Sequence, residues 1–172
     1  MTGDSYRWSL IDTRFAKFAA AVDAEGCVVR FWLHADRNFN PKGEQDDAAL
    51  ATVRQQVEEY CAGTRRVFDL TVKALGGSDF ERAVWNAMSQ IPFGETVSYG
   101  AIAKSLGDAN AARAVGLACN SNPIPLIVPC HRVIGANGAL VGFGGGLPLK
   151  LALLDFESVI VGRPRDLFAA SS

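Results

Sequence analysis

The sequence lacks the residue patterns that mark several classes of protein. Its four cysteines, at positions 27, 61, 119 and 130, form no Cys-x-x-Cys pair, and only His34 and His131 could join them. A zinc site is therefore not expected. No apolar run approaches the length of a membrane span, and the amino terminus lacks the pattern of a signal peptide. We expect a cytoplasmic protein with reduced thiols and no membrane association.

Charge is also sparse, and it is nearly balanced. Of the 172 residues 49% are hydrophobic and 20% are charged, with a net charge of −1, which fits a globular protein of one ordinary domain or two small ones. The whole chain is therefore not marked as a nucleic-acid binder. Between residues 97 and 154 the charged residues are Lys104, Arg113, Arg132 and Lys150 against Asp108. This cluster indicates either a local basic face that binds phosphate or an ordinary mixed surface.

The first half of the chain is predicted to form strands and one helix. Apolar runs separated by turn residues favour strands, and apolar residues at near-helical spacing favour the helix. Two or three strands are predicted over residues 6–33, with apolar runs at 15–22 and 27–33. A further strand is predicted at 68–72 and a helix at 48–61. Gly76 and Gly77 then indicate a linker. We therefore expect two domains, at 1–76 and 77–172.

Three helices are predicted after the linker, at 80–90, 99–106 and 111–119. Ser78 or Asp79 can cap the first, Ser98 can cap the second and Gly107 ends it, and Asp108 or Asn110 can cap the third. The last two helices are short and close together, which is typical of a helix-turn-helix. The third helix consists mainly of small residues, alanines and a glycine, which fits either close helix packing or contact with a DNA groove.

The segment Asn122–Val133 combines apolar residues of strand character with prolines and ends on a reactive group of side chains. Cys130 is followed by His131 and Arg132, and both neighbours would favour the nucleophilic thiolate. If the segment is extended, adjacent side chains point to opposite faces, so a water between sulfur and imidazole is the easier proton path. From spacing alone, a structural cysteine remains an alternative.

Further motifs lie in order between Phe80 and Glu157. They are Val84-Trp85, Ile91-Pro92-Phe93-Gly94-Glu95, Val97-Ser98-Tyr99-Gly100, Ala112-Arg113-Ala114-Val115-Gly116, Pro129-Cys130-His131-Arg132-Val133 and Gly142-Phe143-Gly144-Gly145-Gly146. Together they resemble the O6-alkylguanine-DNA alkyltransferases. The resemblance implies an α/β fold with a small N-terminal ribonuclease-H-like domain. It also implies a mostly helical C-terminal domain that carries the helix-turn-helix and the Pro-Cys-His-Arg segment.

The resemblance implies direct-reversal DNA repair. An alkyl group would pass irreversibly, once per protein molecule, from O6 of guanine in duplex DNA to Cys130, with no cofactor and no metal. The base must leave the stack, because the alkyl carbon is not reachable inside the duplex. The expected partner is double-stranded DNA that contains O6-alkylguanine, with no obligate protein partner.

The resemblance also implies roles at the catalytic centre. Cys130 would accept the alkyl group, His131 would be the base that acts through a water, and Glu157 would polarise the histidine. Asn122 would tie the active-site turn together. Tyr99 would place its hydroxyl near the leaving group and the DNA backbone.

A second set of residues would hold the base, by the same resemblance. The backbone of Val133 and of Gly144 would hydrogen-bond the guanine, and Lys150 would lie near the site. Phe143 would cover the base from a loop. Many family members have tyrosine where Phe143 stands, so an aromatic face is kept here and a hydroxyl is lost.

A third set would contact DNA. In the family the second helix of the helix-turn-helix lies in the minor groove, and Arg113 would enter the duplex where the flipped base leaves. Ala112 and Gly116 suit a groove only about 6 Å wide. The remaining predicted DNA contacts are Ser98, Tyr99 and Arg132.

Three alternative functions are weaker. A module that only binds alkylated DNA would lack the reactive cysteine, so Cys130 argues against it. A transcription regulator would need a further metal-binding domain, for which this chain has neither length nor cysteines. A cysteine hydrolase would need an oxyanion hole, for which the sequence gives no specific indication.

Overall fold

A computed structural model of the chain describes residues 5–164, and within them the chain separates into two units. The first unit ends at Gly76 and also contains Pro123–Pro125. The second unit contains Gly77–Asn122 and the chain from Leu126 onward. The structure is mixed α/β, as predicted.

The first unit is built on a four-stranded sheet and one helix. The strands are β1 (Arg7–Asp12), β2 (Lys17–Val22), β3 (Val28–Trp32) and β4 (Glu44–Gln45), and the helix is α1 (Ala51–Cys61). The sheet order is β3-β2-β1-β4, with β1 parallel to β4 and the other pairs antiparallel. Val53, Val57 and Tyr60 are buried on one face of α1, as helical periodicity requires.

One predicted strand of this unit is wrong. Residues 68–72 form no ladder and contribute only an isolated bridge between Val28 and Val72. The segment has the apolar composition of a strand, but side-chain bonds from Gln56 hold part of it instead. The Gln56 amide donates to the Asp69 carbonyl at 3.0 Å and accepts from the Asp69 amide at 2.8 Å.

The second unit is mostly helical. Its helices are α2 (Asp79–Ser89), α3 (Tyr99–Ser105), α4 (Ala112–Asn120) and α5 (Leu147–Ile160). A short parallel pair joins β5 (Val97–Ser98) to β6 (Val133–Ile134). This pair brings the start of α3 beside the residues that follow Cys130.

Side-chain capping starts α2, and a buried hydrogen bond ties it to α4. The Ser78 hydroxyl accepts from the Glu81 amide at 3.1 Å, and the Glu81 carboxylate accepts from the Ser78 amide at 2.8 Å, which completes a capping box. Trp85 on α2 donates its indole N–H to the Ala118 carbonyl of α4 at 2.8 Å. The bond from Trp85 ties α4, the candidate DNA helix, to α2.

The helices α3 and α4 follow the predicted positions with one difference in capping. The Ser98 hydroxyl accepts from the Ala101 amide at 3.0 Å and so caps α3, as predicted. The helix α4 begins after Ala111, and no side chain within residues 5–164 caps it. Asp108 was a predicted cap, but its carboxylate accepts from the Asn110 amide at 2.9 Å within the connecting turn.

The segment before Cys130 is not a strand, which corrects the strand character predicted for it. Cys130–Arg132 forms one turn of 3₁₀ helix, and Leu126 has a positive φ of 73°. Pro123, Pro125 and Pro129 lack the amide hydrogens that a strand ladder needs, and their apolar neighbours therefore pack as an irregular buried turn.

Within residues 5–164, no helix is both long enough and apolar enough to span a bilayer. The four cysteines are free thiols. The cytoplasmic location stays a prediction.

Candidate active site

Hydrogen bonds from Asn122 hold the turn that presents Cys130. The Asn122 amide donates to the Val128 carbonyl at 2.9 Å and also hydrogen-bonds the Cys130 side chain. The backbone N–H of Cys130 donates to the same carbonyl at 2.8 Å. Asn122 therefore lies where a residue that ties the turn together must lie.

The Cys130 thiol is buried away from solvent and protonated. The residue is only 6% exposed, and burial raises the pKa of the thiol to about 11, although Asn122, Lys150 and nearby backbone amides act in the opposite direction. The prediction that His131 and Arg132 favour the thiolate is therefore wrong, because desolvation dominates and the cation that acts on the thiol is Lys150. A base must remove the proton before the sulfur can react.

His131 is oriented by Glu157. Its Nε2 lies 2.8 Å from Oε1 of Glu157, and both side chains are fully buried. Because a carboxylate only accepts, Nε2 carries the hydrogen and Nδ1 carries the lone pair. Nδ1 makes no hydrogen bond to any protein group that the structure describes. The imidazole is therefore held with one basic nitrogen available.

Glu157 is shared by several donors. The Arg132 guanidinium donates Nε to Oε2 at 2.9 Å and Nη2 to Oε1 at 2.8 Å. The Gly94 amide donates to Oε2 at 3.1 Å. Arg132 is itself held by the Ile91 carbonyl, which accepts from Nη1 at 2.8 Å, and by the face of the Phe93 ring. The carboxylate thus joins α5 to the 3₁₀ turn and to the loop after α2.

This arrangement corrects the DNA-binding role predicted for Arg132. The residue is 6% exposed and its guanidinium is committed to Glu157, so it is not available to a phosphate. Lys150 is fully buried as well. Of the four cations that indicated either a basic face or a mixed surface, two are therefore buried, and Lys104 and Arg113 remain exposed.

Burial, with two nearby cations, keeps the imidazole of His131 neutral. Burial lowers the pKa of His131, with Arg132 and Lys150 acting in the same direction, and this outweighs the attraction of Glu157. Burial would raise the pKa of Glu157, but His131 and Arg132 lower it well below its usual range. The ion pair is thus Glu157 with Arg132, and His131 stays a neutral base.

Lys150 joins Tyr99, Val133 and Val141 by hydrogen bonds in a second part of the site. Its ammonium donates to the Val133 carbonyl at 2.6 Å, to the Val141 carbonyl at 3.2 Å and to the Tyr99 hydroxyl at 3.4 Å. The Tyr99 hydroxyl donates to the Val141 carbonyl at 3.1 Å. Burial raises the pKa of Tyr99 to about 12, so this hydroxyl stays protonated and can donate a hydrogen bond.

The predicted base-holding residues lie around this lysine. Phe143 is half-buried, and the Lys150 ammonium lies 5.9 Å from the centroid of its ring. The Val133 carbonyl already accepts from Lys150 but has a second lone pair for a ligand. Gly144 is exposed, and no atom of the described residues lies within 4 Å of the position that a Cβ would take, apart from its chain neighbours.

The predicted DNA-contacting residues lie on α3 and α4. Arg113 is exposed on the first turn of α4. Gly116 faces Tyr99, because a Cβ built there would lie 3.9 Å from the tyrosine ring. Ala112 is half-exposed at the start of α4, and the Ser98 hydroxyl is occupied as the cap of α3.

The sequence did not indicate the groups that complete the Glu157 site. The missing groups are the Arg132 guanidinium, the Gly94 amide and the Ile91 carbonyl. For the Arg132 guanidinium, the position of an arginine directly after the Cys-His pair was a usable signal. The other two are backbone groups and have no sequence signal. Among the described residues, no cluster of three or more His, Cys, Asp or Glu side chains is placed to hold a metal.

Comparison with known proteins places this site in a family. Residues 79–159 match the family model of the 6-O-methylguanine DNA methyltransferase DNA-binding domain. A methylated-DNA–protein-cysteine methyltransferase of Mycobacterium leprae is 51% identical over 135 residues, which are 77% of this chain and 81% of the relative. The corresponding protein of Methanosarcina acetivorans is 54% identical over 103 residues, which are 60% of this chain and 65% of the relative.

Solved structures agree over almost the whole length. The O6-methylguanine methyltransferase of Mycobacterium tuberculosis superposes with a TM-score of 0.79 at 38% identity, covering 94% of this chain and 95% of the other. The Mycobacterium tuberculosis protein in complex with DNA gives a TM-score of 0.82 at 37% identity, covering 96% and 99%. The fold and the site thus define a methyltransferase that acts on methylated DNA and has a cysteine at its centre. This chain belongs to the methylated-DNA–protein-cysteine methyltransferase family.

The ion pair between Arg132 and Glu157 gives a testable prediction. Arg132→Met removes the cation that shares Glu157, so the pKa of His131 should rise, as measured by NMR titration of the imidazole. At mildly alkaline pH the unpaired carboxylate should cost about 3–5 kcal/mol of unfolding free energy in urea titrations. The difference in unfolding free energy between wild type and the variant should narrow as pH falls. Wild type loses stability at low pH because burial holds the pKa of its His131 low, whereas His131 of the variant can take up a proton.

Arg163→Met is the matched control, since Arg163 pairs with Glu95 at the surface. An exposed pair of this kind contributes about 0–1 kcal/mol and should leave His131 unchanged. If Arg132→Met leaves the imidazole titration as in wild type, then Arg132 does not set the protonation of His131.

Proposed function

We propose that this protein transfers an alkyl group from O6 of guanine in duplex DNA to the sulfur of Cys130. The observation that carries the proposal is a buried thiol followed in the chain by a neutral histidine whose Nε2 is bound to Glu157 at 2.8 Å. Family membership gives the substrate class, since relatives are methylated-DNA–protein-cysteine methyltransferases.

The first step activates the thiol. The proton of Cys130 passes through a bridging water to Nδ1 of His131, and Glu157 stabilises the imidazolium that forms. Side chains adjacent in a 3₁₀ turn diverge by about 120°, because the turn has three residues. The 3₁₀ geometry therefore keeps the water relay favourable although the segment is not extended.

The second step transfers the alkyl group. The thiolate attacks the alkyl carbon, a carbon–sulfur bond forms, and the bond between that carbon and O6 breaks. The electron pair of that bond stays on guanine, which takes a proton from the Tyr99 hydroxyl, and the imidazolium proton replaces the one Tyr99 gave. Lys150 stabilises the transient charge on Tyr99, because its ammonium lies 3.4 Å from the hydroxyl oxygen. The thioether is stable, so each molecule reacts once and needs no cofactor.

Extrusion of the base is part of the proposal. The Cys130 residue is 6% exposed, and a stacked base cannot bring its alkyl carbon to a buried sulfur. The helices α3 and α4 act as a helix-turn-helix whose second helix lies in the minor groove, with Ala112 and Gly116 as small contact residues. The complex of the Mycobacterium tuberculosis relative with DNA supports DNA as the partner.

The remaining assignments are part of the same proposal. Phe143 covers the extruded base, and the backbone of Val133 and Gly144 binds its edge. The sheet and helix of residues 1–76 form a ribonuclease-H-like domain, and residues 77–172 form the alkyltransferase domain.

Intact-protein mass spectrometry tests the transfer. After incubation with duplex DNA that contains O6-methylguanine, the protein should gain the mass of one methyl group in place of one hydrogen. Peptide mapping should place the methyl group on Cys130, and the yield should stop at one per molecule. Cys130→Ser should gain nothing and should still bind the duplex. Methylation of Cys27, Cys61 or Cys119 in that variant would refute the assignment.

Arg113 gives a second prediction. Arg113→Ala should slow repair of duplex DNA by about tenfold or more and leave reaction with free O6-benzylguanine nearly unchanged, because only the duplex requires extrusion of the base. Single-turnover rates on both substrates measure the difference. Lys104→Ala, which removes an exposed cation from α3, is the matched control. Equal slowing on both substrates would show that Arg113 does not assist extrusion.

A further inference from the structure

The outer face of the sheet in the first unit contains a trough. Ala21 of β2 pairs with Trp8 on one side and Arg30 on the other, and Ala19 pairs with Leu10 and Trp32. Residues paired across strands point to the same face of a sheet. Two alanines on the middle strand therefore lie between large side chains on both neighbours.

A loop residue closes part of this trough. The Phe39 ring lies 5.6 Å from the Trp8 ring and 5.1 Å from the Trp32 ring, nearly perpendicular to both. This packing buries Ala19 and Ala21 completely. The uncovered part is a cavity of about 470 Å³ with Tyr6, Trp32 and Phe39 in its wall. Its size lies within the usual range of small-ligand sites.

The rim of the cavity is cationic. Arg30 and Lys42 line it and are exposed, and neither forms an ion pair with a residue that the structure describes. The side-chain amides of Asn38 and Asn40 add donors and acceptors. The lining within the described chain contains no carboxylate. Aromatic walls with unpaired cations fit a planar ligand that carries a negative charge.

We propose that this cavity binds a nucleotide unit, with the base against the aromatic wall and the phosphate on Arg30 and Lys42. Single-stranded nucleic acids are bound in this way, by stacking on aromatic side chains and by cations that follow the phosphates. A base in an intact duplex has no free face, so the ligand is a free nucleotide or an unpaired strand. All the residues proposed for alkyl transfer belong to the second unit, so this site is a separate one.

The chain offers an internal control for the test. It has three tryptophans, and their indole N–H groups give separate NMR signals. Trp8 and Trp32 belong to the trough, whereas Trp85 donates to the Ala118 carbonyl in the second unit. Titration of the intact protein with thymidine 5′-monophosphate and with a short oligothymidylate should shift the Trp8 and Trp32 signals and leave Trp85 in place.

Charge removal then tests the phosphate contact. The double variant Arg30→Ala/Lys42→Ala should lower the affinity for both ligands by about tenfold or more, which is the equivalent of one lost charge-assisted hydrogen bond. Lys17→Ala, an exposed cation of the same sheet outside the cavity, should bind as wild type does. All these variants should react normally with free O6-benzylguanine, so the result does not depend on the alkyl-transfer proposal.

A free nucleotide and an unpaired strand would both support the proposal, and the two affinities distinguish them. Tighter binding of the oligothymidylate identifies an unpaired strand as the ligand, and equal affinity for both ligands identifies a free nucleotide. The proposal is refuted by unmoved Trp8 and Trp32 signals with both ligands, or by equal affinities in the double variant and wild type. A peptide of aspartate and tyrosine that binds more tightly than both nucleotides would also refute it and would point to a protein partner.

Discussion

The active site depends on the buried carboxylate of Glu157. Removal of a carboxylate from water is costly unless hydrogen bonds and an opposite charge compensate for it. Glu157 obtains both from groups that are distant in the sequence, namely the Gly94 amide, Arg132 and His131. Because these groups reach it from the loop after α2 and from the 3₁₀ turn, the same contacts that satisfy the charge also position the histidine next to Cys130.

This division of charge explains how the site can be unreactive at rest. Burial keeps His131 neutral, with Arg132 acting in the same direction and neutralising Glu157, and burial also keeps the thiol of Cys130 protonated with a pKa of about 11. A permanent thiolate would be open to oxidation and to unwanted alkylation. A thiol with a neighbouring neutral base becomes nucleophilic as the proton moves, which favours reaction with a substrate already in place.

The sequence predicted the elements that local rules determine. Ser78 and Ser98 cap their helices as expected, and the strands around residues 17–32 were found within a few residues. The predicted strand character before Cys130 failed because three prolines cancel the preference of the apolar residues between them. The role of Arg132 was missed because only tertiary packing decides whether an arginine meets a phosphate or a buried carboxylate. The contact between His131 and Glu157 was expected from family resemblance alone, since no local pattern joins residues so far apart in the chain.

The rate of reaction with free O6-benzylguanine against pH, from about pH 5 to about pH 10, tests the central claim most directly. Wild type should reach a plateau by neutral pH, where His131 is already neutral. Glu157→Gln should be slower by about 10²-fold at neutral pH, and its rate should climb by about tenfold per pH unit toward alkaline pH, because the thiol must then ionise without an oriented base. Glu95→Gln, which alters a surface carboxylate paired with Arg163, should match wild type. A Glu157→Gln profile that matches wild type in height and shape would contradict the account.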